Sequence, residues 1–506
     1  MYFRDSFQYG FRSRNNKKLL EKLKYPFVIQ APKAVKLELV AEVQNFRTLD
    51  GQSKICNWLY NHILGRANEL KTEFKATGNP DIAKIIYTKC GLRNLVPSIK
   101  KEHVFLKSVH SSPLKNTALR LTSSIQAHQK SKKGKRKGVS EWPRFRSWNA
   151  GWFSLFYDEP TKGFRVVDDV LHISLGQDES SKRLSLEFRL KESHLLKGHS
   201  IRNMRIVCEN GTYFAIFTVL LTLPKPKPIH RMIALDPNHK NFAYGVDTSN
   251  TGIEIAAPTW LKPYDKRIDE LKGKRDRCQK KAKKVVVKAS DGTLTGKEYF
   301  IPSRRWRKRQ KTLESALHKR REQTKTFMFT LAHSLCQKYD CIAIGDYAPN
   351  GNGITTAMRR SMNNRSLIGR FKETLLWTAR KSGKVCIIFD EKGTTRTCHA
   401  CGYVHEKGLS PSIRQWGCPV CQTEHIRDEN AAINGLRKGV RDFLLEYGTD
   451  VPIVPCSGLV SVEERWVWRV LPRGVVIHSS GERTASGRSA RKLIQERGCS
   501  WPKLAH

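Results

Sequence analysis

The chain has 506 residues, with 92 Lys and Arg against 46 Asp and Glu, for a formal net charge of +46. That length leaves room for roughly two to four domains, and so large a positive excess points to a polyanionic partner over much of the surface. The longest apolar run, 213–223, is too short to span a bilayer and no polybasic amphipathic anchor flanks it, so nucleic acid is expected as partner and a membrane is not.

The opening MYFRDSFQYGFRSRNN lacks the apolar core of a signal peptide. Residues 34–42 (AVKLELVAE) alternate as a strand, and the segment that follows has Ile55, Leu59, Ile63 and Leu64 at helical spacing. More helix is expected through LRNLVPSIKKEHVFLKSV and SPLKNTALRLTSSIQAHQ, and QKSKKGKRKG at 129–138 reads as a basic loop or arm suited to phosphate contact. The period then shortens to strands: WFSLFYD, GFRVVDDVLHISL, RLSLEFRL and IRNMRIVCENGTYFAIFTVLL. A small barrel or sandwich, interrupted by the helical block, is the expectation. LPKPKPIH at 223–230 is a Pro-rich linker and the clearest boundary.

Beyond it, RMIALDPNHKNFAYGVDT reads as strand, turn and strand. Long basic helices follow over 264–337, separated by the loop DGTLTGKEYFIP. Strand CIAIGD, helix RSLIGRFKETLLWTARKSG, strand KVCIIFDE, a cysteine insert and helix ENAAINGLRKGVRDFLLEYG complete a mixed α/β sheet. Residues after about 448 show little periodicity and read as a poorly ordered tail.

Thirteen cysteines, an odd number, in a basic chain without a secretory signal argue against a disulfide framework. Nine are scattered singly and read as small buried hydrophobes. The other four, Cys398, Cys401, Cys418 and Cys421, form two C-x-x-C pairs. Two intervening residues let a tight turn aim both sulfurs at one ion, and two such turns make a tetrahedral four-thiolate site for which zinc is the default metal. His399 and His405 in the same insert are left as surface residues.

Two aspartates stand at places where a carboxylate could be presented. Asp236 ends the strand MIALDPN and could be a turn residue before Pro237; Asp428 precedes a helix and could be an N-cap. Cleavage of a phosphodiester by two Mg²⁺ ions needs several converging carboxylates, because hard cations prefer oxygen ligands.

The order strand–D-P, basic helices, strand–turn at 341–350, strand, C-x-x-C…C-x-x-C, then R-D-x-N-A-A resembles the RuvC-type nuclease half of TnpB proteins, transposon-encoded RNA-guided nucleases related to type V CRISPR effectors and Fanzor proteins. The entry EWPRFRSWNAGWFSLFY is similar to the family's approach to its barrel domain, and the likeness covers roughly 35–440. Asn238 departs from the glycine usual after D-P, which a turn tolerates.

The resemblance implies a site of Asp, Glu and Asp, with Asp236 and Asp428 as the aspartates. At the glutamate's usual strand end this chain has Gly345. Adjacent Asp346 is one step along the strand and turns to the opposite face. Glu373 lies about 200° from the apolar stripe of Leu367, Phe371 and Leu375 and faces solvent. Glu391 ends KVCIIFDE on the face of Val385, Ile387 and Phe389, and resembles the branch of the family with a relocated glutamate. The expected catalytic and magnesium-binding set is therefore Asp236, Glu391 and Asp428.

The resemblance further implies a multidomain α+β chain. A wedge-like β-barrel domain would span 1–45 and 128–224, with a helical recognition insert at 46–127. An RNase H-like (RuvC) nuclease domain would span 230–391 and 426–448, with a zinc ribbon binding target nucleic acid at 392–425 and the tail at 449–506. The implied activity is RNA-guided cleavage of double-stranded DNA beside a short flanking motif, with a guide RNA as partner. The implied location is the cytoplasm and nucleoid of a prokaryote, or the nucleus for a eukaryotic relative. A type V effector or Fanzor-type nuclease, a nuclease-dead RNA-guided regulator and an RNA-free nuclease stand as alternatives.

Overall fold

The computed structural model describes residues 30–480 except 136–138, 148–150, 179, 226–227, 239–240, 289–293, 348–366, 407, 410–412 and 448–461. Expectations for residues 1–29, the end of the basic arm, the middle of the Pro-rich linker, the turn beyond Tyr347, and the tail at 449–461 and 481–506 lie outside the described residues. The chain is a multidomain α/β protein whose contacts form two compact units, Gln30–Thr222 and the described residues from Leu223 onward.

In the first unit a seven-stranded antiparallel sheet is built from β1 (Gln30–Val40), β2 (Leu155–Tyr157), β3 (Phe164–Val167), β4 (Val170–Gln177), β5 (Arg183–Leu190), β6 (Ile201–Glu209) and β7 (Thr212–Thr222). The order is β2-β6-β7-β1-β5-β4-β3, so β1 is central although it comes first in the chain. It pairs with β7 from Gln30↔Thr222 to Glu38↔Phe214 and with β5 at Leu39↔Leu190. Period-2 burial explains the pairing: Val35, Leu37 and Leu39 all point into the core. Asn210 and Gly211, both at positive φ, make the two-residue turn between β6 and β7 that matches strand twist.

Between β1 and β2 come α1 (Val43–Thr77), α2 (Pro80–Tyr87), α3 (Val96–Glu102) and α4 (Ser111–Lys132). Leu59, Ile63 and Leu64 on α1 are fully buried in the same core as the sheet. Gly78 ends α1 in the left-handed conformation, its N–H donating to Phe74 O at 2.9 Å. The helix expected over 92–109 is broken instead: 3-10 turns at Leu92–Leu95 and Val104–Ser108 flank α3, which starts at Pro97's first-turn position and stops at His103. The basic run at 129–138 is also corrected in part. α4 continues to Lys132, because no breaker occurs before Gly134.

The second unit holds another seven-stranded sheet. Its strands are β8 (Met232–Pro237), β9 (Ala243–Asp247), β10 (Thr251–Ile255), β13 (Cys341–Gly345), β14 (Val385–Phe389), β17 (Glu464–Val470) and β18 (Val476–Ser480), in the order β14-β13-β8-β9-β10-β17-β18. β8, β13 and β14 are parallel, whereas β9 runs antiparallel to β8 and β10. Helices α5 (Lys262–Lys280), α6 (Arg304–Lys338), α7 (Ile368–Lys381) and α8 (Arg427–Tyr447) complete the unit, with hairpins β11 (Lys284–Lys288)–β12 (Leu294–Phe300) and β15 (Gln415–Gly417)–β16 (Glu424–Ile426). The helix expected up to the loop is corrected over Lys284–Lys288, where the β-branched run Val285–Val286–Val287 forms β11, and the loop expected at 291–302 is itself largely the strand β12.

Both faces of this sheet are covered, so its central strands are buried throughout. Ile233, Leu235, Ile342 and Ile344 pack on one face against Phe327, Leu331 and Leu335 of α6 and Phe371 and Leu375 of α7. Met232, Ala234, Ala343, Val385, Ile387 and Phe389 pack on the other against Ala432, Ile433 and Leu436 of α8. α8 approaches closely because of two glycines: a Cβ on Gly435 would stand 2.6 Å from Phe389 Cζ, and one on Gly439 would stand 2.6 Å from Ala343 Cβ.

The poorly ordered tail expected from 449 is corrected over 464–480, where β17 and β18 extend the sheet. β17 pairs in parallel with β10 from Thr251↔Glu464 to Ile255↔Trp468, and Trp468 is buried in the core. Apolar burial outweighs the charges that broke up the pattern of this stretch in the sequence. Among the described residues no helix is long and apolar enough to cross a membrane.

Candidate active site

Strand parity brings the predicted acids to one place. In β8, Met232 and Ala234 face α8, so Asp236 does too. In β13 the same face carries Cys341, Ala343 and Gly345. Beyond β14 it carries Val385, Ile387, Phe389 and then Glu391. Gly345 pairs with Phe389 and lies one step past the Ile344–Leu235 pair, next to Asp236. Asp428 stands in the first turn of α8, whose start above this strand end favours negative charge. It is the helix's second residue, not its N-cap.

Asp236 and Asp428 are 8% and 7% exposed. Burial lifts the Asp236 carboxyl well above the usual range; the charges of Glu391 and Asp428 add to the lift and Arg427 opposes it. Glu391 is pushed up to about 7, first by burial and then by Asp346, while the Tyr347 N–H and Lys372 draw it down. Its Oε1 is buried and has no hydrogen-bond partner among the described residues. A buried carboxylate lifted by the charges of its two acidic neighbours, beside a glutamate with one oxygen left unsatisfied, belongs to the kind of donor set a hard divalent cation would stabilise. Arg414, from the cysteine insert, reaches Asp428 at 3.3 Å.

Gly345 accounts for where the third acid stands. A Cβ on it would press against Glu391 Oε1 and lie 2.5 Å from its Cγ and Cδ. The Glu391 side chain therefore fills the space that a side chain at 345 would need. Asp346, on the opposite strand face, is exposed; it stays close enough for its carboxylate to accept from the Glu391 N–H at 3.4 Å, and its carbonyl accepts from Lys372. Glu373 is exposed on α7. Asn238, in the family's glycine position, accepts from the Asn241 N–H at 2.8 Å and so closes its own turn.

One face of α8 holds the loop that carries Glu391. Asn430 Nδ2 donates to the carbonyls of Thr394 and Thr397, Asn434 Nδ2 to the same two, and Lys438 Nζ to those of Asp390 and Lys392. These positions, i, i+4 and i+8, share one stripe of the helix. Sequence reading missed this clamp, although the two asparagines of E-N-A-A-I-N mark it. It also missed the buried Glu429, which takes Tyr244 OH at 3.1 Å and Arg465 of β17 at 3.0 Å. Arg465 falls in the stretch read as a tail.

In the insert, the sulfurs of Cys398, Cys401, Cys418 and Cys421 all lie within 4.8 Å of one another. Both knuckles make the same turn. Gly402 N–H donates to Cys398 O at 3.0 Å and Gln422 N–H to Cys418 O at 2.9 Å, and both Gly402 and Gln422 adopt positive φ. His399 and His425 are buried against the cluster rather than exposed; His425 Nε2 is 3.0 Å from Cys398 Sγ. The surface placement of His399 is thereby corrected: its N–H is held by Asn430 Oδ1 at 2.9 Å. Four convergent sulfurs could hold one zinc ion.

Residues 369–435 match the family model described as "Cas12f1-like, TNB domain". TnpB-like protein L79 of Acanthamoeba polyphaga mimivirus is 28% identical over 146 residues, covering 27% of this chain and 27% of that protein. A putative transposase, R186, of the same virus is 30% identical over 149 residues, 28% of this chain and 30% of its own length. The CRISPR-associated DNA-binding protein Cas12m of Allomeiothermus silvanus is 28% identical over 149 residues, with 26% and 27% covered. The matched stretch thus spans well under half of each relative. A solved structure of a Cas12f1–sgRNA–target DNA complex aligns with a TM-score of 0.49 at 11% identity, over 80% of this chain and 98% of that one.

Proposed function

We propose that this relative of the TnpB-like proteins is an RNA-guided DNA endonuclease of a mobile element. The observation that carries the reading is the convergence of Asp236, Glu391 and Asp428 on one sheet face, with Gly345 making room for Glu391. In this reading the strands β10-β9-β8-β13-β14 are an RNase H-like (RuvC) core, residues 392–425 a zinc ribbon that contacts target nucleic acid, and the first unit a wedge-like barrel with its helical recognition insert.

Asp236, Glu391 and Asp428 would hold magnesium ions, which supply an activated water and stabilise the attacking and leaving oxygens of the phosphodiester. The chain's own residues prepare that site. Burial of Asp236 and Asp428 limits bulk water at those two acids, and the α8 clamp fixes the loop that carries Glu391 relative to the helix that carries Asp428. Arg414 and Lys372 place positive charge beside the acids, where a phosphate would approach. Arg304, Arg305, Arg307 and Lys308, exposed at the start of α6, offer phosphate contacts that read no sequence.

The test is single-turnover cleavage of a matched target by protein carrying its co-purified RNA. Wild type should cut only with divalent metal, and Asp236→Ala, Glu391→Ala and Asp428→Ala should bind guided DNA without cutting it. Tight guided binding with no cleavage by wild type would overturn the endonuclease reading in favour of a regulator. Cleavage that survives RNase treatment of the preparation would overturn the RNA-guided part.

A further inference from the structure

A second group of metal-competent side chains lies in the first unit, apart from the carboxylates and the cysteine insert. His62 projects from the middle of α1, and Glu102 and His103 stand where α3 ends. One donor atom from each of the three lies within 4.8 Å of the others. Both rings are half-buried and Glu102 is exposed, so the cluster is open to solvent at Glu102.

The rings are held in place by aromatic packing. Trp58, one turn before His62 on α1, stacks on His62 with centroids 4.8 Å apart and planes 19° apart. The same indole meets His103 edge-on at 4.8 Å and 74°, and Phe105 edge-on at 4.9 Å. The two imidazoles are 5.1 Å apart at 78°. Glu102 acts on His62 through its charge and not through a hydrogen bond. Three donors that converge without bonding to one another leave a gap among them, as an ion-pair cluster would not.

We infer that His62, Glu102 and His103 form a divalent-metal site, with zinc as its ion and solvent as the fourth ligand. Two imidazoles and a carboxylate make a donor set common for zinc and poor for magnesium or calcium, which prefer all-oxygen sites. Bond lengths of about 2.0–2.2 Å in a tetrahedron put donors about 3.4 Å apart, and rotation of the exposed Glu102 side chain closes most of the remaining distance. The ion staples the middle of α1 to the broken segment at 92–108, where short helical turns supply few hydrogen bonds of their own. This site is independent of the nuclease reading and of the four thiolates.

The test titrates chelator-stripped full-length protein with Zn²⁺ against a chromophoric competitor, and repeats the titration with Co²⁺ as the absorbing probe. Wild type should take two equivalents: one with the intense charge-transfer bands of thiolate ligation, the other with only the weak visible bands of nitrogen and oxygen ligands. His62→Gln and His103→Gln should each lose the second equivalent and keep the thiolate bands, with unchanged far-UV circular dichroism. Glu102→Gln, an exposed change that leaves both rings in place, should weaken the second site by about tenfold or more. A wild-type cobalt titration that shows no equivalent with the weak nitrogen–oxygen bands overturns the proposal, as does such an equivalent that survives in both histidine variants. Should either histidine variant lose helix, an unaltered second-site affinity in Glu102→Gln overturns it instead.

Discussion

Glycine 345 and glutamate 391 are one unit of information split between two positions. Glu391→Ala should lower single-turnover cleavage by about a thousandfold or more, since the several kcal/mol that a metal ligand contributes appear in the transition state. Gly345→Glu alone should be just as inactive, because its side chain would collide with Glu391. The double variant Gly345→Glu/Glu391→Ala should recover part of the rate, measured in the same assay; no recovery would separate the two positions. The acids also predict a pH effect. The folded-state value of Glu391 is raised from its ordinary 4.5 to about 7, so the metal-free protein binds more protons folded than unfolded in that window. Its stability should therefore fall as pH rises from about 4.5 through about 7. Added Mg²⁺ should raise the midpoint of thermal unfolding more at pH 8 than at pH 5, and Glu391→Gln should flatten the difference.

At the scale of elements, what could be read from the sequence was what carries a strong local period or a fixed spacing. Leu59, Ile63 and Leu64 on α1, the short strands of the first unit, and the C-x-x-C pairs were all legible because neighbours in the chain determine them. Asp236, Glu391 and Asp428 come together only through long-range pairing of β8, β13 and β14, which no window of sequence contains; strand parity named their face, but not the room Gly345 leaves. β17 was illegible for a related reason. Glu464, Arg465 and Arg469 interrupt its apolar residues, and Arg465 is compensated by Glu429, far away in the chain. Trp468→Ala should thus cost about 3–5 kcal/mol in denaturant unfolding of the second unit, as for other large buried aromatics; a change below about 1 kcal/mol would return this stretch to a dispensable tail. Cys398→Ser should abolish the thiolate charge-transfer bands of the cobalt-loaded insert and loosen the Glu391 loop, because Asn430 and Asn434 tie Thr397, the residue before Cys398, to α8.

Across the whole molecule, a net charge of +46 has to be neutralised by whatever binds. The logarithm of affinity for nucleic acid should fall linearly and steeply with the logarithm of salt concentration, with a slope near −0.9 for each duplex phosphate neutralised. Neutralising Arg304, Arg305, Arg307 and Lys308 together should make that slope shallower by about three or four, measured by fluorescence anisotropy; an unchanged slope would take the polyanion away from α6. The topology of the first unit carries one more consequence, for the order of events on the ribosome. β1 is among the first described residues to be made, yet its principal partner is β7, ending at Thr222, so the central strand waits with one edge open until nearly two hundred further residues have emerged. α1 to α4 are made in that interval and share its core, and so they are placed to shield its apolar face during the wait. Late closure of this kind makes folding slow and exposes a strand edge to other nascent chains. A translational pause just past Thr222, where the Pro-rich linker begins, would give the first unit time to close before the second begins to form.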